Sequence, residues 1–183
     1  MHTMSNKQED ANLILRLYEL RREETMRKAR DWFLTEFNPE SIEELLAVMV
    51  GRDNAAYRMV SSYWDMAAAF VNHGAIDEQL FNDIHFEQIA VYAKIQPFLA
   101  DFRARTNAPY YLTHLEQLVR RMPDIEERLA TMRRFMKRRL DAKNRAAASS
   151  PPTEPDAPNA PAPPVEPIAP ANPAAPAKPG ANA

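Results

Sequence analysis

Two imidazoles and four carboxylates fall within the 16 residues from Asn72 to Glu87: His73, Asp77, Glu78, Asp83, His85 and Glu87. Imidazole and carboxylate together suit zinc, manganese or iron, so His73, Asp77, Asp83 and His85 are candidate metal ligands. The stretch contains no HExxH and no paired ExxH, although Asp83 and Glu87 share a face if one helix runs through both. Structural roles compete for the same residues. Asp77 is placed to cap a helix, and His73 precedes Gly74 at a helix C-terminus, where a cation is favourable.

His114 and Glu116 follow Tyr110 and Tyr111. Acid–base work needs a partner within hydrogen-bond reach, and helical residues one or two apart do not face each other, so the tyrosines are expected to serve the core. Ser61-Ser62 lies outside any GxSxG turn, and the body holds only Gly51 and Gly74, too few for a phosphate-binding or dinucleotide-binding loop. The absence of cysteine excludes disulfide scaffolds, zinc fingers, iron–sulfur clusters and thiol catalysis. No cofactor is expected. Arg58 and Asp65, two turns apart on one helix, form either an internal polar network or the lip of a small polar pocket.

The last helical segment offers a surface rather than a reaction centre. Ile125, Leu129, Met132, Met136 and Leu140 recur at helical spacing and make an apolar seam, which can close on the body or on a second copy of the chain. Arg133, Arg134, Lys137, Arg138 and Arg139 surround that seam and are the candidate partner-binding residues. Residues 133–145 carry seven basic groups against one acid, Asp141, within a chain of formal net charge −2. Such a face is either simply solvated and favourable to the helix dipole, or it meets an acidic protein, an anionic membrane surface or nucleic-acid phosphate. Base reading is not expected, because Phe135 is the one aromatic there.

The elements that position these groups read as helices throughout. The chain has 183 residues and 16 prolines, of which 12 fall between residues 151 and 179. The 145 residues before that tract contain four prolines and two glycines, and their apolar positions recur at three and four. The spacing predicts a helix from Asp10 to Glu36, stopped by Asn38-Pro39, then one begun by the capping box Ser41-Ile42-Glu43-Glu44 and stopped at Gly51. Asp53 is placed to cap a helix from Asn54 to His73. Its apolar residues cover an arc of roughly 200°, wide enough for neighbours on two sides. A short helix capped by Asp77, a segment over 85–105 interrupted by Pro97, and helices opened by Pro109 and Pro123 complete the series.

From Ala146 onward, 25 of 38 residues are proline or alanine, a composition expected to form an extended, disordered tail with either a spacer or a binding role. No apolar run of 18 residues exists, so no transmembrane segment is expected and a cytoplasmic location is the default.

The middle of the chain resembles a bacterial family of helical proteins known only as a domain of unknown function. The resemblance rests on Met26-Arg27-Lys28-Ala29-Arg30, Tyr63-Trp64-Asp65-Met66, Val71-Asn72-His73-Gly74-Ala75-Ile76-Asp77 with Leu80-Phe81, Lys94-Ile95-Gln96-Pro97-Phe98, Arg103, Tyr111-Leu112 and Leu115-Glu116, over about residues 13–120. It implies an all-helical fold and carries over no catalytic residue. Some members carry an N-terminal membrane helix; residues 1–12 here are polar, so attachment by that route is not expected.

The combined expectation is a single all-α, bundle-like domain over residues 1–145 with six or seven helices, followed by the Pro/Ala-rich tail at 146–183. The leading function is a non-enzymatic protein-interaction or regulatory module using the basic terminal helix, with a protein partner or self-association. The alternatives are a metal- or small-molecule-binding enzyme centred on His73 to Glu87, and nonspecific nucleic-acid binding through Arg133 to Arg145.

Overall fold

The computed structural model describes residues 7–149, and within them the chain is all-α with no strand. Nine α-helices and one 3-10 turn are present among these residues, against six or seven helices expected, because two expected segments are each divided. The first division separates α1 (Lys7–Arg22) from α2 (Glu24–Thr35). Glu23 sits between them at φ −50°, ψ 137°, outside the helical region. The Arg30 guanidinium then donates to the Arg21 carbonyl at 3.4 Å, taking up an acceptor left open at the end of α1.

Helix α3 (Ile42–Val50) begins with the expected cap: Ser41 Oγ accepts from the Glu44 amide at 3.2 Å. Glu44 returns its carboxylate to the Glu40 amide at 2.9 Å, one residue earlier than a standard capping box would place it. Helix α4 (Asn54–Asn72) follows, with no side-chain hydrogen bond from Asp53 to its first turn. Gly74 takes the left-handed turn at φ 73°. Asp77 caps α5 (Glu78–Ile84) through the Leu80 amide at 2.8 Å.

Pro97 makes the second division. Helix α6 (Glu87–Ile95) passes into a 3-10 turn (Gln96–Phe98) and then α7 (Leu99–Thr106), as an interrupted segment requires. Pro109 does not open a helix. Residues 108–112 turn, and α8 (Thr113–Arg120) starts only after Leu112, which is held at φ 53° with its side chain buried. The positive φ is strained for a leucine; Asp65 of α4 offsets it by accepting from the Leu115 amide at 2.8 Å, so α8 is capped from another helix.

Helix α4 is central, as its wide apolar arc predicts. Tyr57, Val60, Trp64, Ala67 and Ala68 are fully buried, with α2 against one side and α8 against the other. The arc is narrower than expected, because Met66 and Phe70 are exposed at its edge. The deepest helix is α6, in which all nine residues are buried, including Glu87, Gln88 and Lys94. Helix α9 (Ile125–Ser149) begins after Asp124 at φ 54° and lays Ile125, Leu129, Met132 and Met136 on the core. The apolar seam thus closes on its own domain. Helix α9 runs four residues past the expected boundary at 145; the rest of the expected disordered tail lies outside the described residues.

Candidate functional site

Glu87 opens α6 with its side chain only 8% exposed, and a buried carboxylate must find donors. It finds three. Arg21 Nη2, from the end of α1, donates to Oε2 at 2.9 Å; Arg30, from α2, donates Nε to Oε1 at 2.8 Å and Nη2 to Oε2; Trp64 Nε1, from α4, reaches Oε1 at 3.2 Å. Burial pushes the Glu87 carboxyl up, but the Arg30 hydrogen bonds and the charges of Arg21 and Arg30 outweigh it and hold the group below the usual carboxylate range. The Arg21 guanidinium also lies 5.2 Å from the centre of the Trp64 ring. The break at Glu23 is what lets both arginines converge on one carboxylate.

Lys94, at the other end of α6, makes a second internal tie. Its ammonium donates to the carbonyls of Phe33, Leu34 and Phe37 at 2.9, 3.1 and 2.7 Å and to Asn38 Oδ1 at 3.0 Å, closing the C-terminus of α2 with a cation. Burial, with Arg139 nearby, pulls this lysine down to about 8.

On the outer side of Glu87 the surface changes character. A groove of about 650 Å³ runs between the start of α6 and the face of α9, with Leu34, Ile89, Ala90, Met132 and Met136 among its apolar lining. Phe86 and Phe135 stand in it 72% and 55% exposed. Arg128, Arg138 and Arg139 supply its cations and Glu127 a carboxylate, while the charge of Glu87 is already countered by Arg21 and Arg30.

The five candidate partner-binding residues divide. Arg133 turns inward, donating Nε to the Ala93 carbonyl at 3.0 Å and Nη2 to Gln96 Oε1, so it fastens α9 to the end of α6. Arg134 is exposed and reaches Thr131 Oγ1 at 2.8 Å. Lys137 is exposed beside Leu140 and Asp141, and Arg138 and Arg139 belong to the groove.

The four candidate metal ligands are not brought together. His73 is exposed, with its ring 5.5 Å from that of His114; Asp77 is occupied as a cap; Asp83 is exposed. His85 is buried, stacked on Phe81 at 4.6 Å with Nδ1 3.2 Å from the Phe81 carbonyl, and burial holds the imidazole below its ordinary pKa. Among the described residues no three His, Asp or Glu side chains converge to hold a metal ion. Glu116 is bound by Arg103 Nη1 at 2.7 Å and Arg120 Nε at 3.0 Å rather than by His114. Arg58 and Asp65 do not pair; Asp65 caps α8.

The family described as a domain of unknown function, DUF4760, matches residues 8–122. The chain belongs to that family. No curated protein and no solved structure matches it. The DUF4760 region covers nearly all of α1 and the whole of α2 to α8, and it stops three residues before α9. It therefore contains the whole Glu87 cluster, while the groove takes one wall from the DUF4760 region and the other from the helix beyond it. Among the described residues no helix is long and apolar enough to cross a membrane.

Proposed function

We propose that this DUF4760 chain is a non-enzymatic interaction module whose binding surface is the groove between α6 and α9. The observation that supports it is the pair Phe86 and Phe135, two large apolar side chains left mostly in water on the two walls of one apolar groove. Exposed aromatics set in a recess, rimmed by charge, mark a protein contact more than a solvated face. Glu87, Lys94 and Arg133 are spent on holding helices together. That leaves the groove as a recess with an apolar lining to offer.

A photo-crosslinking residue at position 135 of the full-length protein, expressed in its host, tests the reading. A discrete protein adduct is expected, and the same residue in place of Val50, which is 89% exposed on α3, should give none. Equal labelling from both positions, or no adduct from 135, would contradict the proposal.

A further inference from the structure

We infer that the occupant of the groove is an amphipathic helix of a partner protein with an acidic flank; the inference rests on the reading of the groove as a protein-binding surface. Along α9 the lining runs from Glu127 to Arg139. Twelve steps of about 1.5 Å span about 18 Å, the length of roughly three helical turns. The opposite wall, from Phe86 to Ala90 with Leu34 behind it, gives a trough rather than a flat patch. A trough with an apolar floor receives the apolar stripe of a helix at i, i+3, i+4 and i+7. Met132 and Met136 in that floor are unbranched and can adjust to the side chains that enter.

Charge selects the flank. The side chains of Arg128, Arg138 and Arg139 are exposed and pair with no carboxylate among the described residues, unlike Arg133 on the same helix, whose guanidinium is engaged by Ala93 and Gln96. Glu87 does not repel an incoming acid, because two arginines hold its carboxylate from behind. The concave shape argues for a helix over a bilayer, which meets protruding residues, and the apolar floor argues for it over a phosphate backbone, which needs a continuous basic track.

The test titrates the full-length protein into a fluorescein-labelled 16-residue peptide carrying leucine at positions 2, 5, 6, 9 and 13 and glutamate and alanine elsewhere, read by anisotropy. A twin peptide with lysine in place of each glutamate, vesicles of phosphatidylglycerol and a 20-nucleotide single strand are the comparison probes. Saturable binding of the acidic peptide is expected, about tenfold weaker for Arg138→Glu/Arg139→Glu and for Phe135→Ser, with the lysine twin at least about tenfold weaker than the acidic peptide. Both variants alter exposed side chains, so an unchanged melting temperature is expected alongside. Equal affinity for the two peptides, binding of neither, or affinity indifferent to the variants overturns the inference. Vesicle or oligonucleotide binding that the same variants abolish, with no peptide binding, assigns the surface to lipid or phosphate and also overturns it. If the peptides fail while the residue-135 crosslink still yields a protein adduct, the interaction module stands and only the acidic helix falls.

Discussion

Glu87 stands between two regions that treat their side chains in opposite ways. Behind it, the domain satisfies its own charges: two arginines and a tryptophan converge on one carboxylate, and a lysine closes the end of α2. In front of it, two phenylalanines stand exposed and three arginines pair with no carboxylate among the described residues. Groups with internal partners report on stability, and groups without them report on what the protein meets. The residues that carry the family resemblance fall mainly on the first side: Arg30, Trp64, Asp65, Lys94, Arg103 and Glu116 are each tied to another element.

Substitution separates the two regions in order of effect. Glu87→Ala leaves two largely buried guanidiniums without their counter-charge and should cost about 3–5 kcal/mol, seen as a large drop in melting temperature. Lys94→Met strands the C-terminal carbonyls of α2 and should cost about 1–3 kcal/mol by urea unfolding. Asp65→Ala removes the cap that α4 lends to α8 and should cost about 1 kcal/mol. Phe135→Ser and Arg138→Glu/Arg139→Glu should change stability by less than about 0.5 kcal/mol while abolishing or weakening partner binding. A groove variant that unfolds the protein, or a Glu87→Ala protein of unchanged stability, would erase the contrast.

The pH dependence sharpens it. Glu87 titrates lower folded than unfolded, so its stabilisation is present above about pH 4.5, the ordinary value, and is lost as pH falls through its lowered folded value. Lys94 titrates at about 8 folded against 10.5 unfolded. In that window the unfolded chain holds more protons, so stability from this group rises with pH, and Lys94→Met should flatten the rise. Tyr57 and Tyr63, both raised chiefly by burial, oppose it above pH 10, where the unfolded chain loses protons that the folded state keeps. Phe135→Ser should leave the whole profile unchanged, whereas Arg138→Glu/Arg139→Glu, which removes the cation near Lys94, should shift only the Lys94 part of it to higher pH.

Helix periodicity, the Ser41 and Asp77 caps, the Gly74 turn and the break at Pro97 were legible because each is written within a few residues. The division at Glu23 was not, because Arg21 to Glu24 suits a helix locally and the reason to leave it is Glu87, more than 50 residues away. The acids and histidines of 72–87 looked like one cluster on the line, yet the turn at Gly74 and the short α5 send them to different surroundings. The basic residues of α9 were found, but sequence alone did not show that Arg133 faces inward. Nor did it show Phe86, which gains its meaning only when α9 lies opposite.

Chemical-shift mapping of the isotope-labelled full-length protein with the acidic amphipathic peptide tests the central claim most directly. The account predicts shifts concentrated at residues 86–90 and 127–139, with Val60 and Trp64 unmoved. Shifts centred anywhere else, or none at a saturating peptide concentration, would contradict it.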